Sequence, residues 1–317
     1  MALLKYIGKR VGYALLTIFC LVALTFFMMR ALPGDPFIGE KAVSPEIKAA
    51  LNAKYGLDQP EWKQFMIYLG NLLKGDLGVS LETNRAVTTI IAESFPYSFE
   101  LGVRALVLAT AAGVLLGILA AVKRGTKWDT TAMIIAIIGV SVPSFVIGSM
   151  LQYFLGLKLY GVTKPIRIFP IMGWKTEMAK VLPTIALAFG SLATISRLMR
   201  TSMLDVLSSD YIKTAKAKGL SGGTIVWKHA VRNAIMPVIT VLGPMTASLL
   251  TGGFVVENIF NIPGMGKFFV IGINTLDYSI ISGTTIFYGA FLVLANLVVD
   301  LLYGFVDPRV KLTGGKE

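Results

Sequence analysis

The sequence predicts an all-α integral membrane protein with six transmembrane helices, and three observations carry that expectation. Of 317 residues, 55% are hydrophobic and only 15% are charged. The mean hydropathy, +0.70, is too high for an ordinary soluble domain. Crossing about 30 Å of hydrocarbon takes roughly 20 apolar residues in a helix. Stretches meeting that test fall at 11–32, 99–122, 131–155, 181–199, 234–256 and 280–306.

Taken in order, the first stretch follows a basic start, Lys5, Lys9 and Arg10 within 1–10. Its apolar run is longer than a signal-peptide core of roughly 7–15 residues and no small-x-small site follows, so it is expected to remain as an uncleaved helix. Residues 33–98 form the longest polar segment, expected to be a helical region on the outer side. Within it, "SPEIKAALNAKYG" offers Ser44 as N-cap, Pro45 at the first helical position, Glu46 near the positive end of the dipole and Gly56 as the stop. Next, "PEWKQFMIYLGNLLKG" sets Trp62, Phe65, Met66, Leu69, Leu72 and Leu73 on one apolar stripe. That stripe fits either a local core or membrane-surface helix, or contact with a partner. Pro143 and Pro244 interrupt spans, where each removes a backbone hydrogen bond and bends the helix. Bent helices line cavities or pack around neighbours.

Charge sets the expected orientation, because short positively charged loops stay in the cytoplasm. With both termini inside, the inner segments 1–10, 123–130, 196–233 and the tail 307–317 hold 16 Lys and Arg in 67 residues, against 12 in 115 for the outer segments 32–98, 157–182 and 258–279. Segment 157–182 runs against the trend, with Lys158, Lys164, Arg167, Lys175 and Lys180 beside one acidic residue, Glu177. The net charge of +12 sits mainly beside apolar spans, which favours anionic lipid headgroups over nucleic acid. Cys20 is the only cysteine and lies within the first span, so an intrachain disulfide is excluded.

One polar loop, 200–233, stands out from the apolar remainder. In "DYIKTAKAKGLSGG", Ser209 is placed to cap a helix with Asp210 in its first turn and Lys213, Lys216 and Lys218 later, all favourable to the dipole. Gly219 supplies a left-handed stop, giving a helix of about three turns. Ile212, Ala215 and Gly219 recur on one narrow face of small side chains that lets another backbone or groove come close. A helix this short needs a docking surface, either the bilayer interface or a protein partner.

"YIKTAKAKGLSGGTIVWKHAVRNAIMPVIT" resembles the cytoplasmic loop of permease subunits in binding-protein-dependent ABC importers, in the peptide and nickel branch. Further stretches similar to that family run in order along the chain: "FFMMRALPGDPF", "AKYGLD", "KGDLGVS", "SFPYSFELG", "TKWDT", "SVPSF", "VVENIFNIPGMG" and "VDPRV". "FFMMRALPGDPF" with "TKWD" is most similar to the B-type membrane subunit of oligopeptide permeases. Two departures occur. Lys213, Thr214 and Ala215 stand where the general family loop has E-A-A, and Pro237 follows Gly219 at a longer distance. Both are usual in the peptide branch, but no salt-bridge role carries over from the missing acidic residue.

The resemblance implies a type I ABC importer permease fold. It implies that Tyr211, Ile212, Lys213, Thr214, Ala215, Lys216, Ala217, Lys218, Gly219 and Leu220 form a coupling helix seated in a groove of a separate ATPase subunit. ATP and magnesium would be bound by two such ATPases, with no cofactor on this chain. Other implied partners are a second homologous permease, membrane lipids and an extracytoplasmic peptide-binding protein touching 32–98. The implied location is a bacterial inner membrane. Glu257, Pro263, Gly264 and Gly266 match the family's short outer loop, which dips toward the translocation path. By residue type alone, the prolyl-glycyl stretch is a turn.

Omissions point the same way. No G-x-x-x-x-G-K-[ST] phosphate loop is present, and His229, the only histidine, has no partner at metal-ligand spacing, so neither a catalytic nor a metal site is expected. Arg30, Glu100, Arg104 and Glu257 lie near outer span ends and are read as interface residues reaching water or headgroups. Asp300 lies deeper and fits a bond to a neighbouring helix or a substrate contact. The expected function is the permease subunit of an ATP-driven oligopeptide importer, forming half of the pathway. Competing readings are a dipeptide or nickel permease, an ion-coupled secondary transporter, which would show inverted repeats or midplane carboxylates, and a membrane enzyme, which would show paired acid and base groups.

Overall fold

The structure is a computed structural model that describes residues 2–31, 59–80, 82–164 and 168–306, with side chains described between 7 and 299. In chain order its helices are α1 (Ala2–Ala31), α2 (Glu61–Leu73), α3 (Val87–Val122), α4 (Lys127–Ser141), α5 (Ser144–Thr163) and α6 (Glu177–Leu207). They continue with α7 (Asp210–Ala217), α8 (Gly222–Ala234), α9 (Met236–Leu250), α10 (Phe254–Ile259), α11 (Met265–Asn274) and α12 (Tyr278–Val306). Two compact units divide the chain, one of Met1–Ser98 and Pro263–Glu317, the other of Phe99–Ile262. Five helices are long and apolar enough to cross a membrane, or six when the bent pair α8 and α9 counts as one span.

In the first unit α1 lies along α12. Gly289 permits this, because a Cβ there would overlap the Leu21 side chain. Phe95 of α3 meets Phe287 and Phe291 of α12 with ring centroids 4.9 and 5.0 Å away, in edge-on geometry favoured by the ring quadrupole. Asp277 heads α12. Its Oδ1 accepts from the Ile280 N–H at 3.2 Å, and its Oδ2 accepts from the Ser80 hydroxyl at 2.7 Å, tying the 76–86 loop to that helix end.

α2 departs from its expected stripe. Phe65 inserts among Phe19, Phe26 and Phe27 of α1 with centroids 6.1, 5.3 and 5.5 Å away, and Tyr68 lies 5.4 Å from Phe26. Burial raises the Tyr68 phenol to about 12. Trp62, Met66 and Leu73, expected on the same buried face, remain exposed. The aromatic cluster of α1 selects the face, and periodicity alone could not specify which part of a wide stripe meets it.

The second unit is built on α6. α3 packs along it through glycines: a Cβ at Gly113 would lie 2.9 Å from Ile195 Cβ, and one at Gly117 would lie 2.6 Å from Met199 Cβ. α4 makes the same kind of approach, since a Cβ at Gly139 would sit 2.6 Å from that of Ala193. Small residues allow such close crossings, which supply packing where lipid offers no hydrophobic driving force.

Several span boundaries differ from expectation. α3 starts at Val87 rather than residue 99 and passes through Pro96. The expected span 131–155 is two helices. Pro143, with φ −57° and ψ 143° and no N–H, ends α4 and begins α5, which continues to Thr163 through a π-helical stretch, Gln152–Lys158. The bend expected at Pro244 lies elsewhere: α9 runs through Pro244, while a 51° bend separates α8 from α9 just before Pro237. The basic start before the first expected span is itself helical from Ala2 onward. The proposed helix over 44–56, and "VDPRV" beyond Val306, lie outside the described residues.

Replacing Gly117 with leucine should lower stability by about 1–3 kcal/mol through overpacking. Gly70→Ala, in open space on α2, should be neutral or stabilising by about 0.5–1 kcal/mol. Thermal unfolding of both variants in detergent, followed by size-exclusion chromatography of the surviving monodisperse fraction, checks the contrast.

Candidate functional site

α7 and its flanks form the candidate site. The helix is eight residues, about two turns rather than three. Ser209 occupies the N-cap position in an extended conformation, but its hydroxyl donates to the Val206 carbonyl at 2.6 Å and makes no cap bond to α7. Asp210 instead meets Lys213 at 2.8 Å on the surface, a pair worth little in high dielectric. The C-terminal stop is as expected. Gly219 has φ +75°, its N–H donates to the Lys216 carbonyl at 2.9 Å, and the Leu220 N–H donates to Ala215 at 3.3 Å. These two bonds form a Schellman motif, which needs positive φ at the glycine.

Ile212 and Ala215 of the small-residue face turn inward rather than toward a partner, while Gly219 stays exposed. Ile212 is 0% exposed and Ala215 7%, and both belong to the core that contains Met203, Ile225 and Ala230. Burying them gives α7 the tertiary support that so short a helix requires. The outward face is therefore Tyr211, Lys213, Thr214, Lys216, Ala217, Lys218, Gly219 and Leu220, all exposed. Tyr211 is held in place by Asn233, whose Nδ2 donates to the phenol oxygen at 2.8 Å and to the His229 carbonyl at 3.2 Å. α8 underlies α7 with a π-helical stretch, Ile225–Ala230, and presents Trp227, Lys228 and Arg232 to the exterior. The result is an exposed basic surface, the knob, with an aromatic edge.

At the base of this knob lies an ion pair that the sequence reading did not single out. Arg200 of α6 grips Asp129, in the polar first turn of α4, through Nε at 2.6 Å to Oδ1 and through a terminal nitrogen at 2.9 Å to Oδ2. The Gly125 N–H adds a bond to Oδ2 at 3.0 Å. The Arg200 hydrogen bonds first, then Gly125, pull the Asp129 carboxyl down to about 2. The only signal in the sequence was "TKWDT", and nothing local to it indicates a mate 71 residues away.

The expected outer loop falls in both units. Glu257 lies in α10 and is fully buried, not reaching headgroups as expected; neighbouring Val256 and Phe260 pack with Leu182 and Trp174. Its backbone N–H donates to Gly253 at 2.8 Å and its carbonyl accepts from Ile262 at 2.8 Å. A six-residue helix folding back into the core is not readable from hydropathy. The left-handed turn residue is Asn261, with φ 49°, not a glycine. In the other unit, Pro263 is exposed, Gly264 caps α11, and Gly266 is buried inside α11 rather than in a turn. The Met265 N–H donates to the Ser98 hydroxyl at 3.0 Å.

Glu100 and Arg104, read as separate interface residues, belong to one network. Glu100 meets Arg104 at 2.8 Å and Lys180 at 2.9 Å and accepts the Trp174 indole N–H at 2.9 Å. Glu177 meets the same two cations at 2.9 Å each. Lys180 also lies over the Trp174 ring, 5.4 Å from its centroid. Arg30 lies 4.7 Å from the Phe26 ring. The Asp300 side chain lies outside the described residues. Among the described residues, no group of three or more His, Cys, Asp or Glu is placed to hold a metal ion.

A family described as the binding-protein-dependent transport system inner membrane component matches residues 113–312, and its N-terminal companion matches 3–102. The chain belongs to this family of transport permease subunits. It is 45% identical over 311 residues to the dipeptide transport system permease protein DppB of Bacillus subtilis, covering 97% of this chain and 98% of that protein. It is 42% identical over 312 residues to the oligopeptide transport system permease protein OppB of Haemophilus influenzae, covering 98% and 100%. An inward-facing structure of the MetNI methionine ABC transporter shares the fold with a TM-score of 0.50 at 18% identity, over 72% of this chain and 97% of that one. The fold is that of the type I ABC importer permeases.

The pair at the base of the knob has a pH signature. The Asp129 carboxyl is depressed from 3.8 to about 2, so its contribution, about 2 kcal/mol, is fully present above pH 3.8 and lost as pH falls through 2. Asp129→Asn should lower the unfolding midpoint at pH 7, and the gap to the parent should close as the pH is taken below 3.8. Parallel thermal scans across that range are the check.

Proposed function

We propose that this chain is the permease subunit of an ATP-driven oligopeptide importer and that α7 is its coupling helix. It forms half of the translocation pathway with a second homologous permease. The peptide class is supported by the DppB and OppB relatives, which match this chain nearly end to end. The dipeptide names among them favour a second reading, a dipeptide permease. Uptake of labelled di-, tri- and pentapeptides by the whole complex in proteoliposomes separates the two.

The single observation that carries the coupling role is the geometry of α7. It is a short helix closed by a Schellman turn, with its apolar side already buried in its own unit, leaving Lys213, Lys216, Lys218 and Tyr211 to face a partner. Two separate ATPase subunits, holding ATP and magnesium, would receive this knob and its counterpart on the second permease. Their closure would draw the knobs together and turn the pathway outward. A peptide-binding protein would deliver cargo on the outer side. The positive-inside bias supports a cytoplasmic N-terminus in a bacterial inner membrane.

Gly219→Val should reduce transport per ATP hydrolysed at least tenfold while the chain still inserts, because a β-branched residue resists positive φ by about 1–2 kcal/mol. Nothing lies within 4 Å of a Cβ at this position, so the effect is one of backbone conformation, and Gly219→Asn should be mild. Normal coupling in the valine variant, measured as uptake and ATP hydrolysis in the reconstituted complex, would refute the role of α7.

A further inference from the structure

The pair formed by Asp129 and Arg200 occupies a particular mechanical position. Arg200 lies on the last third of α6, whose following turn carries Met203, fully buried in the same core as Ile212 and Ala215 of α7. At the same level α3 approaches closest to α6: a Cβ at Gly117 would lie 2.7 Å from the Ser196 carbonyl and 3.1 Å from the Arg200 nitrogen. Between them, Gly125 with φ +75° turns the chain out of α3, and its N–H is spent on the Asp129 carboxylate. One carboxylate therefore fastens three things at one point: the start of α4, the turn that leaves α3, and the end of α6 that leads into α7.

We propose that Asp129 and Arg200 are positioning residues that transmit displacement of α7 to α3 and α4. This inference rests on the reading of α7 as the coupling helix. A knob pressed from outside moves α6 through the shared core; α4 has no residue in that core and follows α6 through its packing at Gly139 and Ala193. Near the knob, its start is bound to α6 by the planar fork of Arg200. The fork matters because two parallel bonds fix orientation as well as distance, which a lysine point charge cannot do. The pair is little screened by salt, since the side chains are only 23% and 9% exposed. By contrast, the surface pair of Lys213 with Asp210, 69% and 95% exposed, transmits nothing.

The test uses the complete reconstituted transporter with its ATPases, second permease and binding protein. Asp129→Ala, Arg200→Lys and the exchanged pair Asp129→Arg with Arg200→Asp are compared with Gly219→Val. The measurements are peptide uptake, ATP hydrolysis and the amount of assembled complex. The expected result is that Asp129→Ala and Arg200→Lys assemble and hydrolyse ATP, with uptake per ATP reduced at least fivefold, and that the exchanged pair, which restores the opposite charges but leaves the Gly125 N–H without its acceptor, stays below the parental ratio. If uptake falls only in proportion to assembled complex, the pair is merely structural and the inference fails. It fails equally if Arg200→Lys retains the parental ratio while Gly219→Val is uncoupled. If Gly219→Val is itself normally coupled, the reading of α7 fails and takes this inference with it.

Discussion

The close approach of α3 and α4 to α6 is the constraint on which the second unit depends. Helices in lipid gain nothing by hiding apolar side chains from a solvent that is equally apolar, so their association rests on dispersion contacts and polar links. Gly113, Gly117 and Gly139 remove the side chains that would hold the axes apart, and Ala193, Ile195 and Met199 fill the resulting surface. Once that register is set, Arg200 comes level with Asp129, and Met203 joins the buried core to which Ile212 and Ala215 of α7 belong. The polar links are consequences of the packing register and then lock it.

The same register explains why α7 is stable. Eight residues cannot form a helix alone, because nucleation consumes the entropy of the first turn for a single hydrogen bond. Here Ile212 and Ala215 supply the missing free energy by burial, while the Schellman bonds at Gly219 and Leu220 satisfy the terminal carbonyls. The lysines contribute to the surface charge and to the dipole rather than to folding. The helix is thus held from one side by packing and closed at its end by backbone bonds.

Polar groups are distributed unevenly between the two ends of the second unit. One end holds the bidentate pair of Asp129 with Arg200, and the other the four-charge network of Glu100, Arg104, Glu177 and Lys180 with Trp174. The network is more exposed and has several alternative pairings, so the loss of one contact leaves others. The bidentate pair has no alternative partner of that kind among its hydrogen bonds, and its orientation is fixed by the guanidinium plane.

By itself the sequence determined the class of protein, its all-α membrane-spanning character and the stop at Gly219, because hydropathy, length and the conformational freedom of glycine are local properties. It also contained the family motifs, in order. Tertiary structure decided which side of α7 is free, since Ile212 and Ala215 read equally as a docking face or a core face until both are seen buried in the core that contains Ile225. It decided that Phe65, and not Trp62 or Met66, anchors α2, and that Pro143 breaks a span while Pro244 does not. It alone joined Asp129 to Arg200. Each of these depends on which distant surface a side chain meets, and a periodic pattern specifies a direction around a helix but not the neighbour that fills it.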